Sequence, residues 1–181
     1  EGDDTRRDAT ILNFAKYRQQ HPEATYTPRY DDTGYFNRKY LGRADGHDKY
    51  TGNAPEMNFR NNYRVWPSAE TLLIASALIV RTNGDQDEAD GYLNQVRARA
   101  FGMKPDDAAF AAKRRTATLD NLLLENRLEF ALEGHRFWDL VRCGKAGEVL
   151  GSRGYTDAKK HLPIPQSEID QAHGTLKQNH Y

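Results

Sequence analysis

Three glutamates, Glu125, Glu129 and Glu133, recur at every fourth position along "ENRLEFALEGHRFWDLVRCGKA", residues 125–146. On a helix this spacing sets the carboxylates in one stripe, with neighbouring Cβ atoms roughly 5–6 Å apart. That separation overlaps the one between the two carboxyls of a retaining glycosidase, so acid catalysis is the first chemistry to weigh. The geometry speaks against it. A glycosidase holds its acid and its nucleophile on opposite sides of a bound sugar, whereas adjacent turns of one helix aim both groups the same way. Stacked like charges instead cost about a few tenths of a kcal/mol each unless cations intervene, and Arg127, Arg136 and Arg142 are the cations nearest in sequence. Gly134 breaks the helix, which lets Arg136 fold back toward Glu129 or Glu133 and lock a corner. Glu129, Glu133, Arg136, Asp139 and Arg142 therefore read as a structural charge cluster that fixes orientation more than it stabilises. Phe130, Phe137, Trp138 and Leu140 supply the packing around it.

Other site chemistries find little support. The histidines at 21, 47, 135, 161, 173 and 180 form no HxxH or HExxH pattern, so no metal site is expected. Cys143 is the sole cysteine, which excludes an internal disulfide and a Cys-x-x-Cys redox pair. No glycine-rich phosphate loop occurs, and neither a nucleotide nor any other cofactor is implied. Lys plus Arg and Asp plus Glu both total 26, without a long run of either sign, so a nucleic-acid groove is not expected. No catalytic residue is assigned.

A second group has binding chemistry. Tyrosines 17, 26, 30, 35, 40, 50 and 63 crowd into residues 17–63 among Asp, Asn, Gly, Arg and Pro. A sugar is apolar on its C–H face and hydroxylated at its rim, so aromatic rings suit the one and Asn, Asp and Arg the other. Tyr26, Tyr30, Tyr35, Asn37, Arg38, Tyr40 and Tyr50 form the candidate ligand-binding set. The alternative for each tyrosine is to pack an irregular segment onto helices with its hydroxyl at the surface.

The elements that would position these residues follow from periodicity. Residues 64–150 read as two helical hairpins. "PSAETLLIASALIVRTNG" starts at Pro67–Ser68 and stops at Asn83–Gly84, and Asp85 opens a helix with Ala89, Tyr92, Leu93 and Val96 on one face. Thr118 or Asp120 caps the next helix, which Gly134 separates from "HRFWDLVRCGKA". Hairpins of this length resemble tetratricopeptide-type units. The run Leu72–Val80 is apolar on nearly every face and must be covered on several sides, yet it is far too short to cross a bilayer. Helical arrays need about three or more units to bury such a surface, so part of the fold is expected outside this chain. Residues 17–63 read as a long irregular excursion with one short strand in "GYFNRKYL". Residues 151–181 read as an extended tail, with Ser167 and Asp170 offering a capping box for a last helical turn. The fold class is thus mainly α: tetratricopeptide-like hairpins with long irregular excursions. "EGDDTRRDATIL" carries neither an initiator methionine nor an apolar leader, so either a leader was removed or the chain begins partway through a longer protein.

"ENRLEFALEGHRFWDLVRCGKA" resembles the C-terminal signature of the SusD/RagB family, nutrient-binding lipoproteins of Bacteroidetes-type outer membranes. "DTRRDATIL" resembles the family's Asp-x-Arg segment, with Thr5 where proline is usual. "NFRNNYRVWPSAETLLIASAL" and "LPIPQSEI" with "QNHY" resemble two further family stretches, in order. The resemblance covers residues 4–181 and implies that the whole chain, 1–181, is the C-terminal part of a single SusD-like α-helical domain whose N-terminal part lies elsewhere. It further implies a non-catalytic protein at the extracellular face of the outer membrane, lipid-anchored through an upstream cysteine. Such a protein captures an oligosaccharide, or in some members a peptide, and sits on a SusC-like TonB-dependent transporter. A helical-repeat scaffold for protein partners and, less favoured by the geometry, a glycoside hydrolase are the readings from other classes.

Overall fold

The structure, a computed structural model, describes residues 3–41 and 65–180. Tyr50 and the 42–63 part of the tyrosine-rich segment lie outside the described residues. The chain forms two compact units, Glu1–Leu132 and Glu133–Tyr181.

The first unit is built on a helical hairpin. Pro67 holds an extended backbone at the N-cap, and α3 (Ser68–Arg81) begins directly after it. Asn83 then takes a left-handed conformation (φ 53°), and the Gly84 N–H bonds the Ile79 carbonyl at 2.9 Å, which closes the helix. Asp85 opens α4 (Gln86–Ala100) by accepting from the N–H groups of Asp87 and Glu88 at 2.8 and 3.2 Å. So short a link makes the two helices antiparallel neighbours. Their backbones approach closely at Ser76, whose buried hydroxyl donates to the Ala89 carbonyl at 2.8 Å. Thr118 caps α5 (Leu119–Glu129) by accepting from the Asn121 N–H. Leu73, Ala89, Leu93, Val96, Ala117, Leu122 and Phe130 form the core between these three helices. Burying a side chain such as Leu93 contributes about 1.5–3 kcal/mol.

Between α4 and α5 the chain crosses through a 3₁₀ turn, Ala108–Lys113. Buried Asn94 pins the crossing, because its amide accepts from the Arg115 N–H at 3.0 Å and donates to the Arg115 carbonyl at 2.8 Å. The apolar run of α3 is only partly covered among the described residues: Leu73 is buried, while Ile74 and Leu78 remain exposed. Two neighbouring helices cannot cover every face of an all-apolar helix.

The start of the chain docks on the same hairpin. Thr5 donates both its N–H and its hydroxyl to the Ala100 carbonyl, at 3.0 and 2.9 Å, and a proline there could make neither bond. After α1 (Arg6–Thr10), strand β1 (Ile11–Asn13) pairs antiparallel with β2 (Tyr35–Asn37) in the register Ile11↔Asn37, Leu12↔Phe36 and Asn13↔Tyr35. The short strand expected in "GYFNRKYL" is β2. Its partner and the helix α2 (Phe14–Gln20), capped by Asn13, were not expected.

In the second unit, α6 (Arg136–Arg142) and α7 (Ala146–Leu150) bury Leu140 and Ala146. The tail is less extended than its prolines suggest. It contains 3₁₀ turns at Gly151–Arg153 and Asp157–Lys160 and the helix α8 (Gln166–Gln171). The capping box at Ser167 does not form: Pro165 occupies the N-cap, so Ser167 already lies inside the first turn and no side chain caps the helix. Gln178 holds the chain end instead, bonding both backbone groups of Ile164 at 2.8 Å.

Candidate functional site

The β1–β2 ribbon carries the candidate groove. Gly34 is left-handed (φ 71°) and gives its carbonyl to the Phe14 N–H at 3.0 Å, which locks the start of β2 against the start of α2. Under the ribbon, Phe14, Tyr26 and Phe36 meet edge to face, with ring centroids 4.4 Å apart for Phe14–Tyr26 and 5.1 Å for Tyr26–Phe36. Such pairs add about 0.5–1.5 kcal/mol beyond their buried area and fix ring orientation. Asp32 closes the loop above them, its Oδ1 accepting from the Gly34 N–H at 2.7 Å and from the Tyr26 hydroxyl at 3.3 Å. Desolvation, followed by the charge and hydrogen bond of Asp32, raises the pKa of the Tyr26 phenol, so the hydroxyl is a donor at neutral pH.

An open groove of about 570 Å³ results, lined among others by Tyr26, Arg29, Tyr30, Asp31, Asp32 and Tyr35. Tyr30 is 96% exposed and Tyr35 is also exposed. Among the described residues, the side chains of Arg29, Tyr30, Asp31 and Tyr35 make no hydrogen bond or ion pair. Two exposed aromatic faces therefore stand beside polar groups of both signs.

The structure thus brings Tyr26, Tyr30 and Tyr35 of the candidate set together. It places Asn37, Arg38 and Tyr40 elsewhere. Asn37 Oδ1 accepts from the Lys39 N–H at 3.0 Å, and the Arg38 guanidinium donates to the Asp8 carbonyl at 3.1 Å, so both shape the exit of β2. Lys39 reaches the Glu129 carbonyl at 2.7 Å and ties that exit to α5. Arg29, Asp31 and Asp32 were missed. Their signal was the "RYDDTG" turn, in which Asp and Gly supply the left-handed positions Asp31 and Gly34.

Glu125 and Glu129 of the glutamate stripe draw in cations from distant parts of the chain. Glu125, fully buried, receives the Arg6 guanidinium on Oε1 and that of Arg97 on Oε2, each at 2.7 Å. Glu129 receives Arg6 on Oε2 at 3.0 Å and Arg99 on Oε1. Arg6 also chelates Asp4. Burial works to lower the Arg6 pKa, but the Asp4 hydrogen bond and the Glu125 charge outweigh it and the net shift is upward. Arg6, Arg97 and Arg99 reach Glu125 and Glu129 because tertiary packing carries the chain start and α4 against α5. Asp139 and Arg142 form a separate pair at 2.8 Å in the second unit, which also holds Glu133 and Arg136. Every carboxylate oxygen of Glu125 and Glu129 is occupied by a cation. Neither is a free acid or nucleophile.

A family model for the SusD family matches residues 1–161. The chain belongs to the SusD family. SusD-like protein P38 of Formosa agariphila is 38% identical over 86 residues, 44% of this chain and 17% of its own length. SusD-like protein P2 of the same organism is 31% identical over 120 residues, 60% of this chain and 23% of its own length. Among solved structures, surface glycan-binding protein A from Bacteroides thetaiotaomicron aligns with 100% of this chain and 39% of its own at 41% identity and a TM-score of 0.81. The same protein in complex with laminarihexaose aligns at 42% identity, with the same coverage and TM-score. A laminarin-binding SusD-like protein aligns with 97% of this chain and 35% of its own at 36% identity and a TM-score of 0.76. This SusD-family chain therefore spans less than half the length of the relatives that it matches. Its mainly helical fold is that of SusD-like structures, and no helix among its described residues is long and apolar enough to cross a membrane.

Proposed function

We propose that this chain is part of a non-catalytic cell-surface protein that binds a neutral glycan of laminarin type through the groove at Tyr26, Tyr30 and Tyr35. The observation that carries this reading is the groove itself, where a rigid aromatic floor holds two exposed tyrosines beside unpaired rim groups. Similarity to a laminarihexaose-binding protein along the whole chain supports the ligand class. The occupied carboxylates of Glu125 and Glu129 support a role without turnover. Family membership supports a lipid-anchored protein at the outer-membrane surface, the C-terminal part of a longer polypeptide, which hands its ligand to a SusC-like TonB-dependent transporter.

Calorimetric titration with laminarihexaose tests the reading. Tyr30→Ala and Tyr35→Ala each remove one stacking face, expected to be worth about 1–3 kcal/mol, or roughly 5- to 150-fold in Kd. Binding that survives both substitutions unchanged would move the ligand away from this groove. Release of shorter oligosaccharides during hours of incubation would overturn the non-catalytic reading. A peptide ligand is the alternative within the family, and a casein-derived peptide mixture in the same titration distinguishes it.

A further inference from the structure

A second concavity in the first unit shares no lining residue with the tyrosine groove. It encloses about 280 Å³ between α4 and the 3₁₀ crossing, and Arg97, Phe101, Lys113, Arg114, Arg115 and Asp3 line it. The chain as a whole carries no net charge, yet Asp3 is the one acid among these lining residues. The floor is rigid. Arg97, 1% exposed, donates from Nε and Nη2 to the Lys113 carbonyl at 3.2 and 2.9 Å, while Glu125 neutralises its charge. The Lys113 ammonium sits 4.6 Å above the centre of the Phe101 ring, and Arg97 approaches the same ring at 5.6 Å. Arg114 is exposed and gives one N–H to the Pro105 carbonyl, which leaves its remaining donors available beside Lys113.

A carboxylate already sits in this hollow. Asp3 Oδ2 lies 2.6 Å from Lys113 Nζ, although the Asp3 side chain is 76% exposed. So exposed a pair is weak and exchanges readily with a competing anion. We propose that the hollow is a binding site for an oxyanion, the sulfate ester or carboxylate of an acidic glycan, with the Asp3 carboxylate as its resident occupant. The fixed Lys113 ammonium supplies the charge, the Arg114 fork matches two oxygens of such a group, and the Phe101 ring closes one wall. This site is independent of the tyrosine groove and takes a different chemical class of ligand.

The test is a titration of the ¹⁵N-labelled 181-residue chain with sodium sulfate and, separately, sodium glucuronate, at an ionic strength held constant with sodium chloride. Saturable shifts at the Phe101, Lys113 and Arg114 amides are expected with at least one anion, and which of the two saturates names the group. Asp3→Asn removes the occupant, so Kd should fall about two- to sixfold, the competition expected of an exposed pair. Lys113→Gln combined with Arg114→Gln should abolish saturation, while laminarihexaose shifts at the Tyr30 and Tyr35 amides stay as in the parent. Linear, chloride-like shifts with both anions in the parent and in Asp3→Asn would overturn the proposal. So would saturation that survives the double substitution.

Discussion

Glu125→Gln is the sharpest probe of the charged joint. The side chain is fully buried between Arg6 and Arg97, and Arg97 itself is 1% exposed. Glutamine keeps the volume but offers one carbonyl oxygen to two guanidinium groups, and its amide nitrogen faces the other as a donor against donors. The result is a buried guanidinium that loses the Glu125 charge, which costs about 3–5 kcal/mol. For a chain of this size about 1 kcal/mol moves the melting midpoint by roughly 2–4 °C, so the loss should be about 6–20 °C. Arg99→Ala is the control. Its side chain is 60% exposed and serves the same stripe through Glu129, so its removal should cost at most about 1 kcal/mol. Far-ultraviolet circular dichroism melts of the three proteins measure both. A Glu125→Gln midpoint within about 2 °C of the parent would refute the reasoning, because the pair would then be solvated or dispensable.

Acid should act on the same network through Asp4. Burial raises its pKa, but the Arg6 side-chain and backbone hydrogen bonds and the Arg6 charge outweigh that, and its carboxyl titrates below the ordinary aspartate value. A depressed folded-state value means that the contribution is complete above about pH 3.9 and is lost as pH falls through the folded value. Urea midpoints measured below pH 5 should therefore decline less steeply for Asp4→Asn than for the parent. At the groove, Gly34→Ala meets no steric obstacle, since the nearest atom to a new Cβ is the Tyr26 hydroxyl oxygen at 4.0 Å. The left-handed backbone alone should cost about 1–2 kcal/mol in urea denaturation, and Gly34→Asn, which tolerates that conformation, should recover much of it.

The hairpin in the first unit was legible because its signals are local. A left-handed stop at Asn83–Gly84 and side-chain caps at Asp85 and Thr118 all act within a few residues, so sequence spacing carries them. The apolar period placed Ala89, Leu93 and Val96 on a buried face for the same reason, while Tyr92 of the same face is only half-buried. At Ser167 the local reading failed, and a local effect caused the failure: Pro165 starts α8 before the capping box can form.

The groove was legible only in composition. A strand as short as β2 has too few positions for its alternation to stand out, and Tyr35 and Phe36 turn to opposite faces while Asn37 and Arg38 serve the backbone. The charge cluster shows the same limit more plainly. Sequence determined that Glu125 and Glu129 share one helical face and need cations, because residues four apart must stack. Only the tertiary structure decided which cations: Arg6, 119 residues before Glu125, together with Arg97 and Arg99 from α4. A guanidinium is recruited by proximity after packing, and chain distance carries no record of that.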